Sequence, residues 1–365
     1  PSLRSATTSP DCCSRFPTFK TTTDDNTMQT VRNRVADILG IDLPIVQAPM
    51  NYIAGHALAA AVSAAGGMGV LGPNAGKVQG EEISMRERTL REFARIREVT
   101  DKPVGINVVV PDGENKAALM YARSTVEAAA EGGATAAFCV GGLQPTIFEL
   151  IKEKGMKLIV RPLTPTVKNA REAQAMGADI FVATGYDAGG FLPSHHTGTF
   201  SIVPTIVDAV TIPVLAAGGI NDLRGVRAAF ALGAEGVYVG TRFIATNECA
   251  ANDHAKELIC KLSGSNLLYV DETQRSLPTE FAAEAYVKHR LAPTVPTTVD
   301  LVGALRTGMY DGEPDKGIVT VNTGIDVIRS VVPAAQVVSE LMADFLRYAD
   351  FLKAKASAEE ATPKA

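Results

Sequence analysis

Pro213-Val214-Leu215-Ala216-Ala217-Gly218-Gly219 and, one helix later, Gly236-Val237-Tyr238-Val239-Gly240-Thr241 decide the reading of this chain. Each is a short apolar run that stops at glycine, and Arg224–Leu232 between them has the spacing of an amphipathic helix. Run, helix and run is the pattern of two parallel strands joined by a crossover. The same unit repeats toward the N-terminus, giving strand candidates at Pro44–Met50, Gly67–Leu71, Pro103–Val110, Ala134–Val140, Lys157–Pro162, Asp179–Ala183, Pro213–Ala217 and Gly236–Gly240. Helical stretches such as Ile83–Val99, Lys116–Glu131 and Thr166–Met176 separate them. Eight runs match an α/β (β/α)8 TIM barrel better than an open doubly wound sheet. Unbroken apolar character at Ile45-Val46 and Val108-Val109-Val110 suits strands covered on both faces. Gly133, Gly155, Gly177 and Gly233 stand where helix C-caps belong.

The chain has 365 residues, 46% hydrophobic and 21% charged, enough for one large core. A net charge of −5, 6% aromatic residues and no Trp argue against a nucleic-acid partner, which asks for basic excess and stacking surfaces. No apolar run reaches the about 18 residues that cross a bilayer, so no membrane span is expected. Cys12, Cys13, Cys139, Cys249 and Cys260 form no CxxC pair and no zinc spacing, and read as reduced thiols of a cytoplasmic protein without a metal site. Residues 1–27 are Ser/Thr-rich and read as a disordered extension or expression remnant; Arg4, Arg15 and Lys20 supply too little positive charge to favour a transit peptide. The barrel is assigned to 28–263, with Asn247–Leu262 as its closing helix. An added lobe follows over 264–350, irregular across Leu268–Thr320 and helical over Ile325–Tyr348 where it packs back on the barrel, and 351–365 is a charged tail.

In such a barrel the chemistry lies where the strands stop. The first strand ends in Gln47-Ala48-Pro49-Met50-Asn51, and the third passes through Asn107. The sixth ends in Thr184-Gly185-Tyr186-Asp187-Ala188-Gly189-Gly190, the seventh in Gly218-Gly219-Ile220-Asn221 and the eighth in Gly240-Thr241-Arg242. Glycine after the last two strands exposes backbone N–H groups to a phosphate, although either pair alone could simply permit a tight turn. A proline-fixed backbone and the polarizable Met50 thioether suit the face of a flat ring; away from a barrel mouth Met50 would read as core filler.

Gln47-Ala48-Pro49-Met50, Gly105-Ile106-Asn107-Val108, the segment from Gly185 to Gly190, Ala216–Ile220 and Val239-Gly240-Thr241-Arg242-Phe243, in this order, resemble the nitronate monooxygenase (2-nitropropane dioxygenase) superfamily. The resemblance covers roughly Val31–Thr246, and Gly312-Glu313-Pro314-Asp315-Lys316-Gly317 is similar to the tail of its flavin-dependent enoyl-acyl-carrier-protein reductases. It implies FMN at the barrel mouth, with Ala48, Pro49, Met50 and Asn51 by the ring and Asn107 and Thr184 as polar contacts. Gly189, Gly218, Gly219, Gly240 and Thr241 then surround the ribityl and phosphate, and Gly185 and Gly190 join the cofactor-binding set. Thr184 departs from the Gln that many members carry. Phe191 departs further, because members acting on nitronates, and many enoyl reductases, place a His there, and phenylalanine can neither move a proton nor hydrogen-bond an anion. His195 and His196 are the nearest substitutes as proton donor, set against their reading as an exposed loop pair. Tyr186 is a further candidate, and Asp187 is assigned a structural hydrogen-bonding role. His56, His254 and His289 are read as structural, and Arg86, Arg88, Arg91 and Arg95 as a solvated helix face, with a docking surface for an acidic carrier or a nucleotide phosphate as the alternative.

The expected activity is FMN-dependent reduction of an enone, enoyl thioester or quinone, with NADH or NADPH as electron donor and a small molecule as acceptor. Oxidation of alkyl nitronates with O2 is the alternative, and a non-catalytic flavin-binding protein or a flavin-free phosphate-binding barrel comes from a different class. Nothing in the residues chooses between a monomer and a homodimer.

Overall fold

The computed structural model describes residues 33–78, 80–291 and 301–350. The expectations for 1–27 and 351–365 lie outside the described residues. Eight parallel strands, β1 (Ile45–Gln47), β2 (Gly69–Leu71), β3 (Val104–Val110), β4 (Ala136–Gly141), β5 (Lys157–Arg161), β6 (Ile180–Thr184), β7 (Val214–Ala217) and β8 (Gly236–Val239), form one sheet in the order β1-β8-β7-β6-β5-β4-β3-β2. The sheet nearly closes on itself as a (β/α)8 barrel. Val46 bridges Met68, and where that ladder stops the buried Gln47 side chain accepts the Val70 N–H at 3.0 Å.

Strand parity builds two apolar layers from one set of strands. Val46, Val70, Phe138, Ile159, Ile180, Val182, Leu215 and Tyr238 point into the barrel and pack on one another. Their neighbours Ile45, Cys139, Val160, Phe181, Ala183, Ala216 and Val237 point outward to the helices. The covering helices are α1 (Arg34–Leu39), α2 (His56–Ala64), α3 (Met85–Arg97), α4 (Lys116–Glu131), α5 (Pro145–Glu153), α6 (Val167–Ala175), α7 (Thr199–Val207), α8 (Leu223–Ala231) and the short α9 (Thr241–Ile244). The four glycines expected at helix ends all take positive φ, from +75° at Gly155 to +92° at Gly233, one residue beyond each cap.

The expected closing helix is shorter than its periodicity suggested. It is α10 (Asp253–Lys261), started by Asn252, whose side chain accepts the Ala255 N–H at 2.8 Å. The segment expected to be irregular holds a small hairpin, β9 (Leu268–Tyr269) with β10 (Arg275–Ser276), and the helices α11 (Glu280–Leu291) and α12 (Leu301–Met309). Val270, Ala282, Ala285, Ala304 and Ile318 give it a satellite core of small residues. After it, α13 (Ala334–Leu341) buries Val337, Val338 and Leu341 in the main core, and residues 343–350 are helical again. Among the described residues no helix is long and apolar enough to cross a membrane. Cys139, Cys249 and Cys260 are free thiols; burial pushes Cys249 up to about 11.

Candidate active site

A cavity of about 600 Å3 opens at the C-terminal ends of the strands, a size that suits a cofactor with its substrate. Five strand ends bring expected residues to it. Ala48, Pro49, Met50 and Asn51 line it from β1, Asn107 from β3, Thr184 from β6, Gly218 and Gly219 from β7, and Gly240 and Thr241 from β8. Gly189 and Gly190 line it from the loop after β6.

The reasons are local. Gly72 admits the Met50 backbone behind the cavity, since a Cβ there would stand 2.2 Å from the Met50 carbonyl oxygen. Asn51 accepts a hydrogen bond from Asn74 at 3.0 Å, and this pair flanks Tyr52 (φ +64°), which with Asn74 (φ +56°) forms the described non-glycine set in the left-handed region. Such backbone persists only where its surroundings hold it. Asn107 follows the inward parity of β3 and donates to the Phe138 carbonyl at 3.2 Å. Thr184 takes the last inward position of β6, buried, with no partner for its Oγ1 among the described residues. Gly218 (φ +108°) and Gly219 (φ +73°) turn the chain at the end of β7, and Gly240 has only Ala48 Cβ at 3.6 Å and Met50 Sδ at 4.0 Å facing its missing side chain. Gly240 and Thr241 also begin α9, whose first N–H groups have no partner within the helix.

Some expected residues lie elsewhere. Gly185 is buried beneath the loop and does not line the cavity; a Cβ there would meet the Thr199 N and Oγ1 at 2.2 Å, so glycine admits the start of α7. His195 and His196 are exposed and also outside the lining, with His196 against the Tyr186 ring at 4.3 Å between centroids. Tyr186 is likewise away from the lining and stacks with Tyr269. Asp187 has the structural role: its carboxylate accepts the Thr199 N–H at 2.6 Å at the start of α7. His56 is tied to Glu92, which accepts from its backbone N–H and contacts its Nδ1, both at 3.0 Å. Arg86, Arg91 and Arg95 are engaged with Glu131, Glu81 and Glu92, which leaves little charge free to dock a carrier.

The lining also contains residues that sequence reasoning passed over. Arg161 rises from the end of β5, and Gln274, Thr320 and Asn322 arrive from the added lobe. Gln274 Oε1 is buried without a partner among the described residues, and Asn322 is locked to Asn221 by two side-chain hydrogen bonds of 2.8 and 2.9 Å. Inward parity could have flagged Arg161; nothing in the lobe's sequence marks the others. Burial pushes the Tyr238 phenol up and lowers the Arg161 guanidinium, each partly countered by the other. Phe191 lines the mouth at 48% exposure, with Val109 and Leu163 as further exposed apolar lining. Among the described residues no cluster of three or more His, Cys, Asp or Glu could hold a metal.

The residues present fit an FMN. Thr184 and Gln274 line the cavity and bury polar atoms, Oγ1 and Oε1, that have no partner among the described residues, and Gly240 at the end of β8 leaves open space where a side chain would stand. Comparison with known proteins points the same way. FabK from Thermotoga maritima superposes with a TM-score of 0.74 at 31% identity, covering 89% of this chain and 100% of that one. A probable nitronate monooxygenase of Staphylococcus saprophyticus is 29% identical over 315 residues, 75% of this chain and 86% of that protein. An octahydro-indene-carboxyl-CoA dehydrogenase of Rhodococcus jostii is 34% identical over 235 residues, 63% of this chain; the match spans only 60% of that relative's length. The nitronate monooxygenase family profile matches residues 32–344, nearly the whole described barrel and lobe, and the chain therefore belongs to this family of flavin-dependent oxidoreductases.

Proposed function

We propose that the chain is an FMN-dependent reductase that takes electrons from NADH or NADPH and passes them to an enone, an enoyl thioester or a quinone. The observation that carries this reading is Phe191 on the cavity lining, in a mouth where no described histidine takes part. An apolar rim of Phe191, Leu163 and Val109 favours an acceptor with a hydrocarbon body over a small nitronate anion. The name of the Rhodococcus relative, a carboxyl-CoA dehydrogenase, adds support for the thioester class.

When bound, the flavin supplies hydride acceptance and hydride delivery at a single ring position. The residues supply the rest. The glycines after β7 and β8, with the N–H groups that begin α9, would hold the phosphate; Pro49 and Met50 would cover the ring; Asn107 and Thr184 would meet its polar edge. Phe191, Leu163 and Val109 give the mouth an apolar rim against which the hydrocarbon body of an acceptor would pack. A cytoplasmic setting goes with this reading, since nicotinamide donors and reduced thiols coexist there.

Anaerobic mixing of the FMN-loaded protein with NADH or NADPH tests it. The ~450 nm flavin band is expected to bleach with at least one donor and to return when an enoyl thioester or quinone is added. A band that persists with both donors, together with rapid oxygen uptake on an alkyl nitronate, overturns it in favour of nitronate oxidation. The family profile and the Staphylococcus relative favour that second reading.

A further inference from the structure

Arg161 is the only cation among the described residues lining the cavity. It lies two residues beyond Ile159, which points into the barrel, so strand parity turns its side chain inward as well and sets it at the cavity floor. Among the described residues no carboxylate pairs with it and no acceptor receives its N–H groups; the Tyr238 phenol is the neighbour that acts on its charge. A guanidinium stays protonated in such a place, and one left unpaired there is costly. The neighbouring strand repeats the pattern, because Thr184 is the last inward residue of β6 and its Oγ1 is orphaned. Two adjacent strands thus end in hydrogen-bond donors that no described residue uses.

The phosphate cradle of β7 and β8 lies farther round the barrel from β5, so Arg161 is placed for the other end of the cofactor or for the substrate. A bound flavin would supply the acceptor for hydride from a dihydronicotinamide, taking two electrons and one proton while the donor would leave as a pyridinium. The surplus negative charge spreads over N1 and the C2 carbonyl, a planar edge that matches a guanidinium fork. We propose that Arg161, with Thr184 beside it, receives this N1–C2=O edge and sets how strongly the bound flavin holds an electron pair. The inference rests on the FMN reading above. The guanidinium keeps its proton throughout, because it acts as a fixed charge.

The test compares midpoint potentials of the FMN-loaded native protein, Arg161→Gln and Arg161→Lys, measured anaerobically against reference dyes over a range of pH. Arg161→Gln is expected to weaken two-electron uptake at least tenfold, a drop of about 30 mV for a two-electron couple. It should also raise the pH at which the potential's slope changes as the N1 proton is lost. Arg161→Lys, which retains the charge, is expected to stay within threefold of native. A loaded Arg161→Gln protein with native potential and an unmoved break overturns the inference, and a raised KM for an anionic acceptor in that protein would assign Arg161 to the substrate. Should the glutamine variant refuse FMN, Thr184→Val carries the test through the same titration, with an expected threefold loss; an unchanged potential overturns the proposal. Native protein that takes up no FMN fails differently, since it removes the functional reading itself.

Discussion

At position 191 the cavity mouth presents a benzyl group where nitronate-oxidising relatives are expected to present an imidazole. Phe191→His should therefore raise nitronate-dependent oxygen uptake by about 10²-fold, in the range that one positioned acid/base group contributes. An oxygen electrode checks it, and an unchanged rate would show that this rim position lies out of reach of the reacting atoms. The loop histidines predict the opposite behaviour. Exposed and off the lining, His195→Ala and His196→Ala should leave kcat for the reduction within roughly twofold of native, and a hundredfold fall would return the proton-donor role to them. Residues whose position follows from strand parity were legible in the sequence: Asn107, Thr184 and Met50 sit at the mouth as their motifs implied. Gly185 was not, because a glycine that admits another element's backbone looks in sequence like one that admits a ligand. Arg161 escaped because an arginine before a proline at a strand end reads as a solvated terminus.

The strands were readable nearly to their bounds, since a segment buried on both faces stays apolar until it reaches the mouth. Lys157–Pro162 was expected where β5 runs Lys157–Arg161, and Asp179–Ala183 where β6 runs Ile180–Thr184. The lobe helices were harder. Prolines and glycines interrupt Leu268–Thr320 at intervals, and α11 fully buries only the small Ala282 and Ala285, which leaves a weak amphipathic signal. The close fit of helix on strand is sharpest at Gly69, where a Cβ would stand 1.9 Å from the Ala59 carbonyl oxygen in α2. Gly69→Ala is expected to destabilise the fold by about 1–3 kcal/mol, the usual cost of overpacking a core. Chemical denaturation reads this directly; a native midpoint would mean that α2 shifts away without penalty.

Taken whole, barrel and lobe share the site. The buried Arg275 of β10 donates to the carbonyls of Tyr186 and Ala188 in the loop after β6, and its guanidinium lies 5.0 Å from the Tyr186 ring centroid and 5.6 Å from that of Tyr269. Arg275→Ala should lower stability by about 2–3 kcal/mol, as buried hydrogen bonds to a charged group do, and speed FMN loss by tenfold or more. Thermal melting with and without added FMN, followed by dialysis, checks both effects, and cofactor retention equal to native would separate the lobe from the site. No sequence pattern announced this tie, which joins residues 87 positions apart. The barrel seam has a related consequence. β1 pairs with β8 over Ile45↔Val237, Val46↔Tyr238 and Gln47↔Val239 but meets β2 through one bridge and a glutamine side chain. The earliest stave synthesised thus leans mainly on the last, so a chain emerging from the ribosome cannot seat its first strand until some two hundred further residues have followed. Nascent chains halted before β8 should expose Ile45 and Val46 to chaperones, whereas those released after it should close.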